Sequence, residues 1–149
     1  MKVNDVMTTD VQCCCINTSL NEVASKMWEY NCGVLPVVDN SAKPIGMITD
    51  RDIAMSCTLN HKAPWELDAA TVIGERDIFS CKTDDKVDVA LAVMKDKKIR
   101  RLPVIDNEGC LAGILSIDDI VARSSNGKSA KNIPYDMTMS TLKSVVVPH

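Results

Sequence analysis

The chain has 149 residues, of which 46% are hydrophobic and 25% are charged, and its formal net charge is −3. This apolar fraction excludes a wholly disordered chain, and the negative charge argues against nucleic-acid binding, which needs a broad basic face. No run reaches the roughly 18 apolar residues that span a bilayer, and no apolar segment of a signal peptide follows the polar N-terminus. We therefore expect a cytoplasmic protein that does not bind or span a membrane.

Cysteine occupies seven positions, three of them consecutive at 13–15. The odd count and the three consecutive positions make a poor disulfide framework and are typical of a reducing compartment. The sequence contains no Cys-x-x-Cys pair. Histidine occurs only at His61 and His149, so we expect no metal site. We interpret the cysteines as small buried hydrophobic side chains, with positions 13–15 open to oxidation only at an exposed strand end.

The first half of the chain contains one strongly periodic segment, from Leu20 to Trp28. Its apolar residues fall at i, i+3, i+4, i+7 and i+8, the spacing of an amphipathic helix. Pro36 lies in a strand-prone run and cannot donate to a sheet ladder, so we expect it at a strand start or edge. The other predicted elements are, in chain order, strands over 11–16, 34–38 and 45–48 and a helix over 50–57.

The second half repeats this order of elements. Strands are predicted over 78–82, 102–105 and 111–115, with a helix through 87–94 and another from Ser116 to about Arg123. We divide the chain into a first repeat over 1–58, a linker over 59–69, a second repeat over 70–124 and a tail over 125–149.

The linker and the tail carry weaker signals. In the linker we expect Trp65 and Leu67 to pack against the body of the protein. Residues 124–129, Ser-Ser-Asn-Gly-Lys-Ser, lie where the tail begins, and their composition predicts a flexible segment. The run 144–147 is strand-prone. We expect that run to extend a sheet edge or to contact a second chain.

Two landmarks recur at a single spacing. Leu35-Pro-Val-Val-Asp39 returns as Leu102-Pro-Val-Ile-Asp106, and the Gly46 to Asp52 segment returns from Gly113 to Asp119, each 67 positions later. One repeat of about 55 residues buries too little surface to be stable by itself. We therefore expect an α/β (α+β) fold in which two β-α-β-β-α repeats pack about a pseudo-twofold axis.

The recurring motifs resemble those of the cystathionine-β-synthase (CBS) domain family, in which two repeats form a Bateman module. The likeness covers residues 3–124 and includes the Leu-Pro-Val strand, the Gly-h-h-[Ser/Thr]-x-x-Asp signature and the opening Asp5-Val6-Met7-Thr8. The second copy departs from that opening with Val72-Ile73-Gly74.

This resemblance implies a free-standing, non-catalytic regulatory pair that needs no cofactor. Its regulatory ligand would be AMP, ADP, ATP or S-adenosylmethionine, bound in the cleft between the two repeats. The resemblance also implies a homodimer, with an unidentified regulated protein as a further partner.

The signature residues have chemistry that suits such a ligand. A carboxylate near a helix start can accept hydrogen bonds from both hydroxyls of a ribose, which predicts that role for Asp52 and Asp119. The hydroxyls of Thr49 and Ser116 lie at helix N-termini, where backbone N–H groups and the helix dipole attract phosphate.

The flanking strands predict an apolar slot for the purine. By analogy with the family, Cys13 and Ser80 would lie near the base or the ribose. The candidate walls of the slot are Leu35, Pro36, Ile48, Leu102, Pro103 and Leu115.

The two copies differ in basic residues, which are frequent at 95–101 and absent from the matching positions 28–34. Because a guanidinium fork pairs well with phosphate oxygens, we expect Arg51, Arg100 and Arg101 to bind the phosphate, with Arg123 as a further candidate. The phosphate end of a nucleotide should therefore lean towards the second copy. Side chains expected to face solvent instead are Lys97, Lys98, Asp50 and Asp118.

Two alternatives remain open. Each [Ser/Thr]-x-x-Asp also matches a capping box, which would stabilise its helix by about 1 kcal/mol without binding anything. The chain could then be a structural dimerisation or interaction module with degenerate pockets. An enzyme is disfavoured because the sequence shows no pairing of a nucleophile with a base.

Overall fold

The computed structural model describes residues 1–126 and 132–146, and the chain divides into two compact units. The first unit is continuous, from Val11 to Ile78. The second unit combines Met1–Asp10 with Phe79–His149. Each unit therefore holds one copy of the landmarks together with the short segment that precedes the other copy in the sequence.

The first unit has a three-stranded sheet with helices packed on it. Its elements are β1 (Cys14–Cys15), α1 (Leu20–Glu29), β2 (Val34–Val38), β3 (Pro44–Thr49), α2 (Asp50–Asn60) and α3 (Ala69–Ile73). The strand order is β1-β2-β3, with β1 parallel and β3 antiparallel to β2. The strand predicted over 11–16 is wrong in length, because only Cys14 and Cys15 find partners on β2.

The core of the first unit forms where α1 meets the sheet. Helix α1 buries Leu20, Val23 and Met27 of the predicted apolar face, but the prediction is wrong at Trp28, which is 90% exposed. Leu67 joins the same core, as expected. Trp65 does not: it lies in a 3-10 turn that leaves its side chain 71% exposed, so the prediction that it packs against the body is wrong.

Pro36 is the third residue of β2 rather than its start. Strand β1 pairs only with Val37 and Val38, so one side of β2 has no partner strand at Pro36. A residue without an N–H group is tolerated there because that side carries no ladder. The expectation of a strand start or edge is therefore wrong, since β2 is the central strand of its sheet.

The second unit repeats the same topology. Its elements are β4 (Cys81–Lys82), α4 (Val87–Lys97), β5 (Arg101–Ile105), β6 (Leu111–Ser116) and α5 (Ile117–Ala122), with strand order β4-β5-β6. The strand predicted over 78–82 shortens to two residues, the only ones that pair with β5. Both units have the β-α-β-β-α order, which confirms the predicted fold class and its duplication. Val3 and Val6 of the N-terminal segment lie in the core of this unit.

The tail adds a helix to the second unit. After the short pair β7 (Ser124–Ser125) and β8 (Ile133–Pro134), helix α6 runs over Tyr135–Val145. The strand predicted over 144–147 is wrong at Ser144 and Val145, which end this helix, and residue 147 lies outside the described residues.

Burial against the second unit explains why a helix replaces the predicted strand. Thr138, Thr141 and Val145 recur at helical spacing and are buried, and tertiary packing of such a face overrides local β-propensity. The stretch predicted to be flexible pairs at Ser124 and Ser125, and its residues 127–129 lie outside the described part of the chain. Over residues 1–126 and 132–146, no helix is both long and apolar enough to cross a membrane.

Candidate functional site

Each signature forms a capping box at the start of a helix. At α2, the Thr49 hydroxyl accepts from the Asp52 N–H at 3.1 Å, while Asp52 Oδ2 accepts from the Thr49 N–H at 2.9 Å. At α5, Ser116 and Asp119 repeat this exchange at 3.1 and 2.8 Å. The capping interpretation therefore holds in both copies, and it fixes one oxygen of each carboxylate at the helix start.

The other oxygen of each carboxylate accepts a hydrogen bond from a segment outside the local motif. Asp52 Oδ1 accepts from Arg76 Nη1 at 3.0 Å, and Asp119 Oδ1 accepts from the Thr8 hydroxyl at 3.2 Å. Sequence reasoning missed both donors as site residues. A signal did exist: Thr8 closes the Asp5–Thr8 opening motif, and Arg76 lies just after the place where the second copy departs from it.

The glycine of each signature lets these segments approach. A Cβ on Gly113 would lie 2.5 Å from the Thr8 carbonyl oxygen, and a Cβ on Gly46 would lie 2.6 Å from Ile73 Cγ2. At Gly113 the approach is fixed by two backbone hydrogen bonds of 2.9 Å between Thr8 and Ile114. Both glycines are therefore required by a close contact, and this contact brings Thr8 to Asp119.

The charge of Asp52 is set by opposing effects. Burial alone would raise the pKa of this carboxyl group, but hydrogen bonds from the Thr49 backbone and from the Arg76 and Thr49 side chains, with the charge of Arg76, hold the pKa below its ordinary value of 3.8. Asp52 is therefore an anion at neutral pH. An ionised carboxylate only accepts hydrogen bonds, which suits it to the hydroxyls of a sugar.

The predicted wall residues lie in the cores of their units. Leu35 and Ile48 pair across β2 and β3, and Leu102 and Leu115 pair across β5 and β6. All four side chains are at most 1% exposed, and Pro36 and Pro103 beside them are also buried. These residues hold the signature strands in place, and their contact with a ligand stays a prediction.

The structure brings two of the predicted arginines to the second signature. Arg101 lies opposite Ser116 in the β5–β6 register, and the Arg100 carbonyl accepts from the N–H of Ile117, the first residue of α5, at 2.9 Å. The Arg100 side chain is exposed and that of Arg101 is half-buried. Among the other charged residues discussed above, the two remaining predicted arginines and the four residues expected to face solvent are all exposed: Arg51, Arg123, Lys97, Lys98, Asp50 and Asp118.

Cys13 directly precedes β1, and Ser80 directly precedes β4. Cys13 is half-buried, and its carbonyl accepts from Lys26 Nζ at 3.0 Å, while Ser80 is exposed. Burial, more than neighbouring charges, raises the pKa of Cys14 to about 11 and that of Cys81 to about 12. These two thiols are therefore protonated and behave as the predicted small hydrophobic side chains. Within the described residues, no group of three His, Cys, Asp or Glu side chains could hold a metal ion.

Comparison with known proteins places these features in one family. The model of the CBS domain matches residues 3–57 and 72–126. The CBS domain-containing protein YhcV of Bacillus subtilis is 33% identical over 131 residues, covering 86% of this chain and 89% of that protein. Protein MK0525 of Methanopyrus kandleri is 36% identical over 100 residues, so the match covers 67% of this chain and half of that protein.

Enzymes match over a smaller part of their length. Inosine-5'-monophosphate dehydrogenase of Methanocaldococcus jannaschii is 30% identical over 131 residues, which cover 88% of this chain but only 25% of the enzyme. Among solved structures, the CBS domain pair of protein MJ0100, in complex with 5'-methylthioadenosine and S-adenosyl-L-methionine, has a TM-score of 0.70 and 28% identity. That match covers 82% of this chain and 94% of the other. The chain belongs to the CBS domain family and carries two copies of its domain.

Proposed function

We propose that the chain is a non-catalytic regulatory module that binds an adenosine-containing ligand, either AMP, ADP or ATP, or S-adenosylmethionine. The observation that carries the proposal is the geometry of Asp52 and Asp119. In both, the helix cap uses Oδ2 and leaves Oδ1 to accept from a side chain of another segment. A carboxylate oxygen has two lone pairs, so Oδ1 retains the capacity to accept from a ribose hydroxyl.

The relatives support the same class of ligand. The CBS domain pair of MJ0100, 28% identical to this chain, holds 5'-methylthioadenosine and S-adenosyl-L-methionine. Both molecules carry a ribose with the two neighbouring hydroxyls that an aspartate can bind. The regulatory effect would follow from a ligand that binds one conformation of the chain more tightly than another.

Phosphate would be bound by the arginines near the signatures. The backbones of Arg100 and Arg101 adjoin Ile117 and Ser116 at the start of α5, and we assign a phosphate near this helix start to their guanidinium groups. Arg51, at the second position of α2, would serve the first signature in the same way. The remaining predicted contacts are those of Thr49, Leu35, Pro36, Ile48, Leu102, Pro103, Leu115, Cys13 and Ser80.

The proposal also covers the cellular location, the oligomeric state and the partner of the protein. We place the protein in the cytoplasm as a homodimer that passes its ligand state to a regulated protein. The second candidate function is a structural dimerisation module, which is favoured by the capping boxes because they give both signature motifs a purpose without a ligand.

A titration separates the two candidates. Thermal unfolding is followed with AMP, ADP, ATP and S-adenosylmethionine, and a ligand at 100 times its dissociation constant should add about 2.7 kcal/mol to the free energy of unfolding. Asp52→Asn and Asp119→Asn, which keep an oxygen for the helix cap, should reduce that gain. No stabilisation by any of the four compounds would favour the structural module. Stabilisation that survives in the double variant would show that the site lies elsewhere.

A further inference from the structure

The two signature carboxylates differ in the charge of the group that binds Oδ1. At Asp119 the donor is the neutral hydroxyl of Thr8, at 3.2 Å. At Asp52 the donor is the guanidinium of Arg76, at 3.0 Å, and the contact is an ion pair. The duplication thus places a cation at one site and a neutral group at the other.

A departure in the sequence creates this difference. Gly74 stands where the first copy has Met7, and its φ of +46° lies in the left-handed region that favours glycine. The turn continues with a hydrogen bond of 3.0 Å from the Arg76 N–H to the Ile73 carbonyl. This local turn positions Arg76 over the start of α2, where it reaches Asp52.

Arg76 keeps donors for a second anion. A guanidinium carries five N–H donors, and the ion pair with Asp52 uses one nitrogen, Nη1. The Arg76 side chain is 61% exposed, whereas that of Asp52 is only 20% exposed. The arginine can therefore turn towards a ligand while the capped carboxylate stays in place.

We infer that Arg76 makes the Asp52 site selective for adenosine ligands that carry a phosphate on the ribose. This inference rests on the function proposed above and identifies the ligand class of one of its two sites. When the ribose hydroxyls donate to Asp52 Oδ1, the guanidinium gives up part of its ion pair and pairs with the phosphate oxygens. A ligand without phosphate weakens the same ion pair and offers the guanidinium no second anion.

Adenosine and AMP form the probe pair because they differ only in the phosphate. Calorimetric titrations use the full chain with Asp119→Asn, which restricts the measurement to the Asp52 site. Adding Arg76→Gln should weaken AMP binding by about tenfold, the effect of losing one charged hydrogen bond. Adenosine affinity should change by less than about twofold, because the ion pair between Arg76 and Asp52 lies at an exposed site and contributes little free energy. Arg76→Lys should restore part of the AMP affinity, since it keeps the charge without the fork.

Thr9→Ala is the matched control, because Thr9 is exposed and occupies the position 67 residues before Arg76. It should leave the ratio of AMP to adenosine affinity unchanged. An unchanged ratio in Arg76→Gln, or tighter AMP binding, would overturn the role of Arg76 while leaving the proposed function intact. AMP binding that disappears with Asp119→Asn alone would also overturn it. If the unmodified chain binds neither compound, and binds none of ADP, ATP and S-adenosylmethionine, the proposed function fails and this inference with it.

Discussion

The first and second units have cores built from matching residues but differ in what covers their long helices. Leu20, Val23 and Met27 of α1 correspond to Val87, Ala90 and Met94 of α4, and all six are buried. Outside the core the correspondence ends. In the second unit α6 packs beside α4, and Lys95 Nζ donates to the Ser140 hydroxyl at 2.8 Å.

The matching surface of the first unit has no such helix among the residues described. Trp28, the counterpart of Lys95, is 90% exposed and borders an open groove of about 410 Å³. Met27 and Ile53 also line this groove. The comparison shows that the duplication preserves the residues that pack the sheet, while the outer faces of the helices have diverged.

The largest effect should come from truncating the matched core methionines. Met94→Ala should lower the free energy of unfolding by about 3 kcal/mol, because Met94 is fully buried and the cavity it leaves is closed. Met27→Ala should cost less, since Met27 lines the groove and water can enter the space. Urea denaturation of both variants measures the difference, and an equal or larger loss for Met27→Ala would contradict it.

A smaller effect is expected at the signature glycines. Gly113→Ala places a Cβ against the Thr8 carbonyl oxygen, a backbone atom held by two hydrogen bonds, and should cost about 2 kcal/mol. Gly46→Ala meets the Ile73 side chain, whose shift involves less of the backbone, and should cost somewhat less. Chemical denaturation ranks the two variants. Wild-type stability in Gly113→Ala would show that the N-terminal segment does not pack on β6.

The lowered pKa of Asp52, which results from the hydrogen bonds of Thr49 and from Arg76, should make stability depend on pH. Because the folded pKa of Asp52 is below its unfolded value, its contribution is present above the unfolded pKa and is lost as the pH falls through the folded pKa. Asp52→Asn should therefore lose less stability on acidification than the unmodified chain does. Denaturation curves at pH 6 and at pH 3 test this, and identical acid sensitivity in the two proteins would count against a lowered pKa of Asp52 in the folded state.

The smallest effect is expected at Trp28. Trp28→Ala should change the free energy of unfolding by less than about 0.5 kcal/mol, because an exposed side chain loses few contacts. Thermal unfolding measures it, with Lys95→Ala as the matched variant on α4. A loss above about 1 kcal/mol at Trp28 would mean that this side chain is buried in solution.

Local signals explain what could be predicted from the sequence. The period of α1 and the recurrence of Leu-Pro-Val required only neighbouring residues, and both predicted the observed elements. Helix α6 could not be predicted in this way, because its buried face depends on contacts with the second unit rather than on its own propensity.

In the candidate site, too, the local contacts could be predicted from the sequence and the long-range contacts could not. The capping of α2 and α5 could be predicted because Thr49–Asp52 and Ser116–Asp119 are three residues apart. The contacts of Thr8 with Asp119 and of Arg76 with Asp52 span 111 and 24 residues, and no local pattern encodes such pairs. The contact of the wall residues and arginines with a ligand stays a prediction.

The most direct test of the account is equilibrium binding of AMP, ADP, ATP and S-adenosylmethionine to the full chain and to the double variant Asp52→Asn, Asp119→Asn. Isothermal titration calorimetry gives the affinity, and circular dichroism checks that the variant stays folded. The account predicts binding of at least one compound to the unmodified chain and a loss of at least about tenfold in affinity in the double variant, as expected when carboxylate hydrogen bonds are removed. Equal affinity in the two proteins, or no binding of any of the four compounds to the unmodified chain, would contradict it.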